Sequence, residues 1–286
     1  MHIEDYDISE HLDATVKSTE RITPEDAIDE VRELVLEVNN KNLDYQAGQL
    51  IAVLVPGPHD TGHPYHARFY TIADIPTAPS DNVNDITIAV RRSNYIDEYS
   101  GERYQGVASN YLCDLEQGQH VTISGPYGIP FEVPQDHSAN LLMISLGTGI
   151  APFRAFIKHI YHNVGNWLGK VRLFYGAHTG LDMLYMNDKR DDFSRYYDEE
   201  TFKAFQALNP RPHWDDYIAI DQVLEQHEEE VWEMICAHNT YVYVAGLSNI
   251  NVMLDKAFTK MAGSAEQWDR RRKELVAGGR WTELLY

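Results

Sequence analysis

The spacing of the apolar residues changes near residue 139, and this change constrains the fold more than any single motif. Ahead of it the chain runs in short alternating stretches at 32–38, 49–55, 85–90 and 120–124, each bounded by Gly, Pro, Asn or Asp. Short strands separated by turn residues predict an antiparallel barrel or sandwich. One short helix, at 109–115, interrupts them. Beyond residue 139 an apolar run at 141–144 leads directly into Gly147-Thr148-Gly149 and a helical stretch at 151–161. A strand at 171–175 turns at Gly176, and a later strand at 241–245 reaches Gly246 before a helix at 249–261. That alternation predicts a parallel sheet whose ligand crevice lies at the carboxyl ends of its strands. The predicted organisation is an arm over 1–30, a β-barrel domain over 31–138 and a nucleotide-type α/β domain over 139–286; 286 residues suffice for two cores.

Charge narrows the partners. The chain carries −20, and residues 1–138 hold 24 acidic against 8 basic side chains, leaving that part at −16 and the rest at −4. Such a field repels nucleic-acid phosphates and anionic membranes, so neither is an expected partner. The start of the chain is acidic, no run of about 18 apolar residues follows, and Cys113 and Cys236 form neither a disulfide framework nor a CxxC pair. The expectation is an unexported protein of the reducing cytoplasm. No metal is expected: His59, His63 and His66 read as a plain loop, and the acids between 179 and 230, which include Asp182, Asp188, Asp191, Asp192 and 198–200, share no ligand spacing. The whole stretch 179–230 reads as an insertion.

Three local patterns carry chemistry. Gly147-Thr148-Gly149 behind a buried strand lets a pyrophosphate approach backbone N–H groups at a helix N-terminus, although Pro152 replaces the last glycine of the full G-x-G-x-x-G pattern. A simple strand-to-helix connector has the same appearance. Arg68-Phe69-Tyr70-Thr71 offers a guanidinium for phosphate, a ring for stacking and a hydroxyl, and is equally an ordinary edge strand when taken alone. Tyr286 ends the sequence on an aromatic ring, where small polar residues are more usual.

Taken in order, Arg68-Phe69-Tyr70-Thr71, Ala89-Val90-Arg91-Arg92 with Tyr95, the stretch from Gly106 to Cys113, Gly125-Pro126-Tyr127-Gly128, the stretch from Gly147 to Arg154 and terminal Tyr286 resemble the plant-type ferredoxin–NADP reductases. The likeness runs from about Leu34 to Tyr286 and is greatest to the reductase half of benzoyl-CoA oxygenase reductase components, without their ferredoxin domains. It implies a six-stranded antiparallel Greek-key β-barrel that binds FAD, followed by a parallel α/β domain that binds NADPH, with NADH as the other donor. By resemblance, Arg68 contacts the FAD pyrophosphate, Tyr70 stacks on the isoalloxazine beside Phe69, Thr71 approaches flavin N5, and Tyr95 stacks on adenine. Ala89 and Val90 line the flavin, and Arg91 lies between the two dinucleotides. Gly106, Val107, Ala108 and Ser109 offer N–H groups to the pyrophosphate. Gly147, Thr148, Gly149 and Pro152 face the nicotinamide nucleotide, Gly246 and Leu247 line the same crevice, and Tyr286 covers the flavin until nicotinamide displaces it.

The implied activity is transfer of electrons between NADPH or NADH and a one-electron carrier such as ferredoxin, one that feeds an oxygenase, by hydride transfer to FAD N5. The catalytic candidates are Thr71, Tyr286 and Glu283. The chain departs from the pattern at Ser145-Leu146, at Ala245 where relatives place a cysteine, and at Leu284 where they place a glutamate, with Glu283 one residue early. These departures motivate a second reading, a FAD-binding structural or sensory subunit without catalysis. A Ser-Arg pair for a 2′-phosphate is missing from 211–218. Arg270, Arg271 and Arg272 read as an exposed helix face, with docking of an acidic carrier as the alternative.

Overall fold

A computed structural model of the chain describes every residue except 1–2, 41–42, 58–63, 77–82, 97–98, 100, 129–130, 198–199 and 210–217, together with the side chain of Arg103. His59, His63, the predicted acids 198–199 and the 2′-phosphate stretch 211–217 therefore lie outside the described residues. The chain divides into two compact units, Met1–Pro130 with Ala151–Lys158, and Phe131–Ile150 with His159–Tyr286.

In the first unit the elements are β1 (Leu12–Arg21), β2 (Val31–Val38), β3 (Leu50–Pro56), β4 (Tyr65–Thr71), β5 (Asn84–Arg91), the hairpin β6 (Asn94–Ile96) and β7 (Arg103–Gln105), helix α1 (Val107–Asp114) and β8 (His120–Tyr127). Six strands form one antiparallel sheet in the order β4-β3-β8-β1-β2-β5, a Greek-key arrangement in which β8 and β1 separate β3 from β2. A single bridge between Ile72 and Ile88 joins the two edges, with Ala73 N–H donating to Thr87 O at 2.8 Å, and so rolls the sheet into a barrel. Inward residues such as Leu34, Ile51, Val53, Ile86, Ile88 and Ile123 are buried in one core. Helix α1 seals an end of it with Ala108, Leu112 and Cys113; it starts two residues before its predicted 109–115 because Gly106 already turns the chain.

The predicted arm over 1–30 is the clearest difference. Residues 12–21 form β1, which pairs with both β2 and β8. Its sequence hides the strand: Asp13, Lys17 and Glu20 on the exposed side dilute the apolar alternation, while Ala14 and Val16 reach the core with Leu12 packed at its margin.

The second unit comprises β9 (Asn140–Leu146), β10 (Val171–Ala177), β11 (Phe202–Leu208), α3 (Ile220–Gln226), α4 (Glu228–Cys236), β12 (Thr240–Gly246), α5 (Ile250–Ala262), α6 (Ala265–Ala277) and β13 (Trp281–Leu285). Between β9 and β10 runs α2 (Ile150–Lys158), continued by one wide turn at His159–Val164. Residues 151–158 of α2 belong to the first unit, where Arg154 donates to Ala73 O (2.9 Å) and Asp74 (3.1 Å), and Lys158 to Asp74 (2.7 Å). The sheet is wholly parallel in the order β11-β10-β9-β12-β13. The chain starts at the central strand, steps outward to β11, then returns to the other side of β9 as β12. That reversal between β9 and β12 is a topological switch point, where open parallel sheets bind ligands.

Residues 179–230 are not an insertion. They contain β11, paired with β10 along seven residues, and α3, whose Ile220 and Leu224 enter the core. Acids in that stretch are already committed, among them Asp192 to Arg190 at 2.8 Å, Asp182 to Thr179 at 2.7 Å and Glu230 to Arg172 at 2.8 Å. Nor are Arg271 and Arg272 on an exposed face: Arg271 donates to the carbonyls of Ile235 and Ala237 at the end of α4, and Arg272 pairs with Asp255 and Glu283. Because β1 fills the middle of its sheet, deleting residues 1–21 should abolish folding of the barrel. Circular dichroism and near-ultraviolet spectra of the truncated chain would show this, whereas a dispensable arm would leave both unchanged.

Candidate functional site

Two separate sites emerge, one in each unit. In the barrel, the bridge at Ile72 and Ile88 closes the seam between β4 and β5. Arg68 and Tyr70 lie on β4 and Arg91 on β5. Arg68 is exposed, with Nη1 donating to its neighbour's carbonyl, Ala67 O, at 2.9 Å. Tyr70 packs one side of its ring on the barrel core, and burial holds its phenol protonated, well above the usual tyrosine range. Arg91 is half exposed and paired with Asp29 at 3.1 Å.

The end of β5 is stitched to the first turn of α1. Gly106 N–H donates to Ser93 O at 2.9 Å, Ser93 N–H to Ser109 Oγ at 3.1 Å, Asn110 Nδ2 to Ser93 O at 2.9 Å, and Arg92 Nη1 to Asn110 Oδ1 at 3.1 Å. A Cβ at Gly106 would meet Ser109 Oγ at 2.9 Å and Ser93 O at 3.0 Å, so a side chain there would crowd the two segments. Ser109 is thus occupied with the turn, and no side chain caps α1. The first N–H groups of a helix have no intrahelical partner, and with the helix dipole they favour an anion. Beside them, Tyr95 and Tyr104 face each other across the β6–β7 hairpin, stacked at 5.4 Å and both exposed. An uncapped helix start, two exposed guanidinium groups and exposed flat rings fit a dinucleotide with a pyrophosphate at its centre.

Not every predicted residue faces that site. Phe69 points to the opposite side of β4, where its ring meets Tyr6 at 5.3 Å and Tyr127 at 5.6 Å. Val90 is buried in the barrel core, and Ala89 packs with Ala73 and Ala151. These three can offer a ligand little beyond backbone. Tyr104 was missed; its pairing with Tyr95 in the hairpin register is the signal that would have found it.

The second site crowns the parallel sheet. Gly147, Thr148 and Gly149 form a tight turn after β9, Gly246 ends β12, and Tyr286 follows β13. The glycines divide by role. A Cβ on Gly149 would lie 2.3 Å from Ala245 O, and one on Gly246 (φ +131°) would lie 2.7 Å from Leu146 O, so these two allow backbone to press on backbone. Gly147 (φ +55°) has open space where its Cβ would be. Pro152 sits in the first turn of α2, where a missing N–H costs nothing. Leu247 is half exposed just beyond Gly246. Tyr286 is tied by its backbone, N–H to Gly246 O at 3.1 Å and O from Ser248 N–H at 3.2 Å, and by a hydrogen bond between its hydroxyl and Thr148 Oγ1.

Glu283 is placed differently from a proton relay. Its carboxylate accepts from Arg272 at 2.7 Å, from Asn251 at 3.3 Å and from Trp281 Nε1. Burial alone would raise its pKa, but these bonds and the Arg272 charge outweigh it and hold the group below the usual glutamate range. Its neighbours Ala245 and Leu284 are buried and apolar. Among the described residues no cluster of His, Cys, Asp and Glu has the geometry to hold a metal.

Two predictions follow from this geometry. Gly149→Ala should lose about 1–3 kcal/mol in chemical denaturation, as overpacking does, whereas Gly147→Ala should lose about 1–2 kcal/mol from its left-handed backbone and, unlike Gly149→Ala, should obstruct the open side of the turn. Glu283 stabilises the fold in its ionised form, since its folded-state pKa is depressed. Its contribution is complete above the ordinary glutamate range and disappears as pH falls through the depressed value. Glu283→Gln should therefore cost about 1–3 kcal/mol at neutral pH and flatten the acid limb of a stability–pH profile below about pH 4.5.

Comparison with known proteins matches both halves of the chain. Residues 13–131 match a family described as an oxidoreductase FAD-binding domain, and residues 143–256 one described as an oxidoreductase NAD-binding domain. A ferredoxin–NADP reductase of Spirulina sp is 32% identical over 94% of this chain and 93% of its own length. The chloroplastic leaf isozyme 1 of Oryza sativa subsp. indica is 30% identical over 93% of this chain and 74% of its own; the chain spans 65% of the Picosynechococcus reductase, at 31% identity. The ferredoxin–NADP+ reductase of Plasmodium falciparum shares the fold, with a TM-score of 0.73, 98% coverage of both chains and 18% identity. On these grounds the chain belongs to the ferredoxin–NADP reductase family.

Proposed function

We propose that the chain is a flavoprotein oxidoreductase that passes electrons between NADPH and a one-electron carrier of the ferredoxin kind. The observation that carries this reading is the coexistence, in a chain of that family, of an uncapped, glycine-led helix beside exposed Arg68 and Arg91 in the barrel and an open glycine turn at the switch point of the parallel sheet. FAD fits the first and the nicotinamide nucleotide the second. NADH is the other donor to compare, since the 2′-phosphate stretch 211–217 lies outside the described residues.

Within the barrel, the residues divide the work by chemistry. Arg68 and the N–H groups of Val107, Ala108 and Ser109 hold the pyrophosphate, Arg91 adds positive charge, and Tyr95 with Tyr104 receives the adenine. Tyr70 gives a flat face to the isoalloxazine, and Thr71 gives a hydroxyl near N5. Bound flavin supplies the step from a two-electron hydride donor to a one-electron acceptor. In the second unit, Gly147 leaves room for the nicotinamide nucleotide, Gly246 and Leu247 line its crevice, and Tyr286 keeps water and ligand from the crest until it moves. Thr71 and Tyr286 remain the catalytic candidates. Glu283 serves as a structural anchor, since its carboxylate is already held by three donors.

We infer further that the carrier feeds an oxygenase, on the likeness of the ordered motifs to the reductase half of benzoyl-CoA oxygenase reductase components. A cytoplasmic setting is proposed with it, in keeping with Cys113 and Cys236 both being free thiols. No described helix is long and apolar enough to cross a membrane. A second reading, a flavin-binding subunit without turnover, draws on the apolar Ala245 and Leu284, which offer no group to relay a proton.

Anaerobic mixing with NADPH or NADH separates these readings. The expected result is bleaching of the flavin band near ~450 nm, with Arg68→Ala weakening FAD retention. A yellow protein that neither donor bleaches would favour the non-catalytic subunit, and a protein that takes up no FAD would overturn the proposal.

A further inference from the structure

At the crest of the parallel sheet the main chain is fixed by close backbone contacts, and one half-exposed ring lies across it. Gly149 and Gly246 hold the turn after β9 against the end of β12 with no room for a Cβ at either position. The backbone of Tyr286 is tied to Gly246 and Ser248 on both sides. Its ring is 50% exposed, and its hydroxyl reaches across to Thr148 Oγ1, on the residue between Gly147 and Gly149. Any movement of the ring is then a side-chain rotation that must break this hydrogen bond, and the turn it leaves behind is the one with open space at Gly147.

We propose that Thr148 is a positioning residue, whose hydroxyl latches the Tyr286 ring over the glycine turn and so competes with the nicotinamide end of the nucleotide for that place. The proposal rests on the nicotinamide reading of this crest given above. A latch of this kind lowers apparent affinity by the fraction of molecules in which the ring is closed. It acts only on ligands that carry a ring to the turn, because the adenosine end of the nucleotide does not contend for the place of Tyr286.

The test is isothermal titration of the FAD-loaded protein with NADP+ and, separately, with 2′-phospho-AMP, which lacks nicotinamide. Thr148→Val removes the hydroxyl and keeps the shape; Tyr286→Phe removes the other end of the bond. Each should tighten NADP+ by about 2- to 10-fold, the range for loss of one neutral hydrogen bond, and leave 2′-phospho-AMP unchanged. Thr148→Ser should return to the wild-type value. The double variant should bind no tighter than either single one, as expected when both remove the same contact.

Unchanged NADP+ affinity in Thr148→Val would overturn the latch while leaving the wild-type function intact. So would weaker affinity, which would make the hydroxyl a ligand contact, an equal shift for both ligands, or additive effects in the double variant. A wild-type protein that binds 2′-phospho-AMP but not NADP+ supports a closed latch if Thr148→Val restores binding, and overturns the proposal if it does not. A wild-type protein that binds neither overturns the nicotinamide reading and the latch together.

Discussion

The contact on which the parallel-sheet unit depends is the meeting of two backbone segments at the switch point, the turn after β9 against the end of β12. With Gly149 and Gly246 lacking side chains, Ala245 O and Leu146 O lie where Cβ atoms would otherwise stand. This closeness brings the carboxyl ends of β9, β12 and β13 to one crest and places Gly147, Thr148, Leu247 and Tyr286 around it. A glycine-rich turn is usually read as room for phosphate. Here Gly149 and Gly246 make room for protein backbone, and Gly147 alone of the three has open space beside it.

In the barrel unit the corresponding constraint is the stitching of Arg92 and Ser93 to the first turn of α1. Ser109 and Asn110 spend their polar groups on that turn, which leaves the start of the helix without a side-chain cap. A surface helix in most proteins would carry a capping Ser, Thr, Asp or Asn. Leaving the position uncapped costs a little stability and preserves a place for an anion, and the exposed Arg68 and Arg91 add charge of the matching sign in a unit that is otherwise strongly acidic.

How much of this was legible in the sequence depended on how strongly each element repeats. The buried strand at 141–144 and the helix at 249–261 were plain because their apolar runs are dense, and β9 and α5 fall over them. β1 was hidden because its outward face is charged and its inward face is short, made of Leu12, Ala14 and Val16. β11 was hidden in a stretch whose acids drew the eye, and its seven residues, paired in parallel with β10, show no clean alternation of buried and exposed positions. For the candidate sites, residue order singled out Arg68, Tyr70, Gly147 and Tyr286. It could not show that Phe69 turns to Tyr6 and Tyr127, that Glu283 is held by Arg272 and Asn251, or that Arg271 closes the end of α4, because each of those depends on side chains far apart in sequence.

The central claim is that the crest formed by Gly147–Gly149, Gly246–Leu247 and Tyr286 receives the nicotinamide nucleotide while the seam beside α1 receives FAD. Hydrogen–deuterium exchange of the FAD-loaded protein, with and without NADP+, tests it most directly. The expected outcome is new protection at peptides covering 146–150 and 246–249, with increased exchange or no gain at 286 as the ring is displaced, and no change around Gly106–Asn110. Protection on adding NADP+ that centres on the start of α1 and leaves 146–150 unchanged would contradict it.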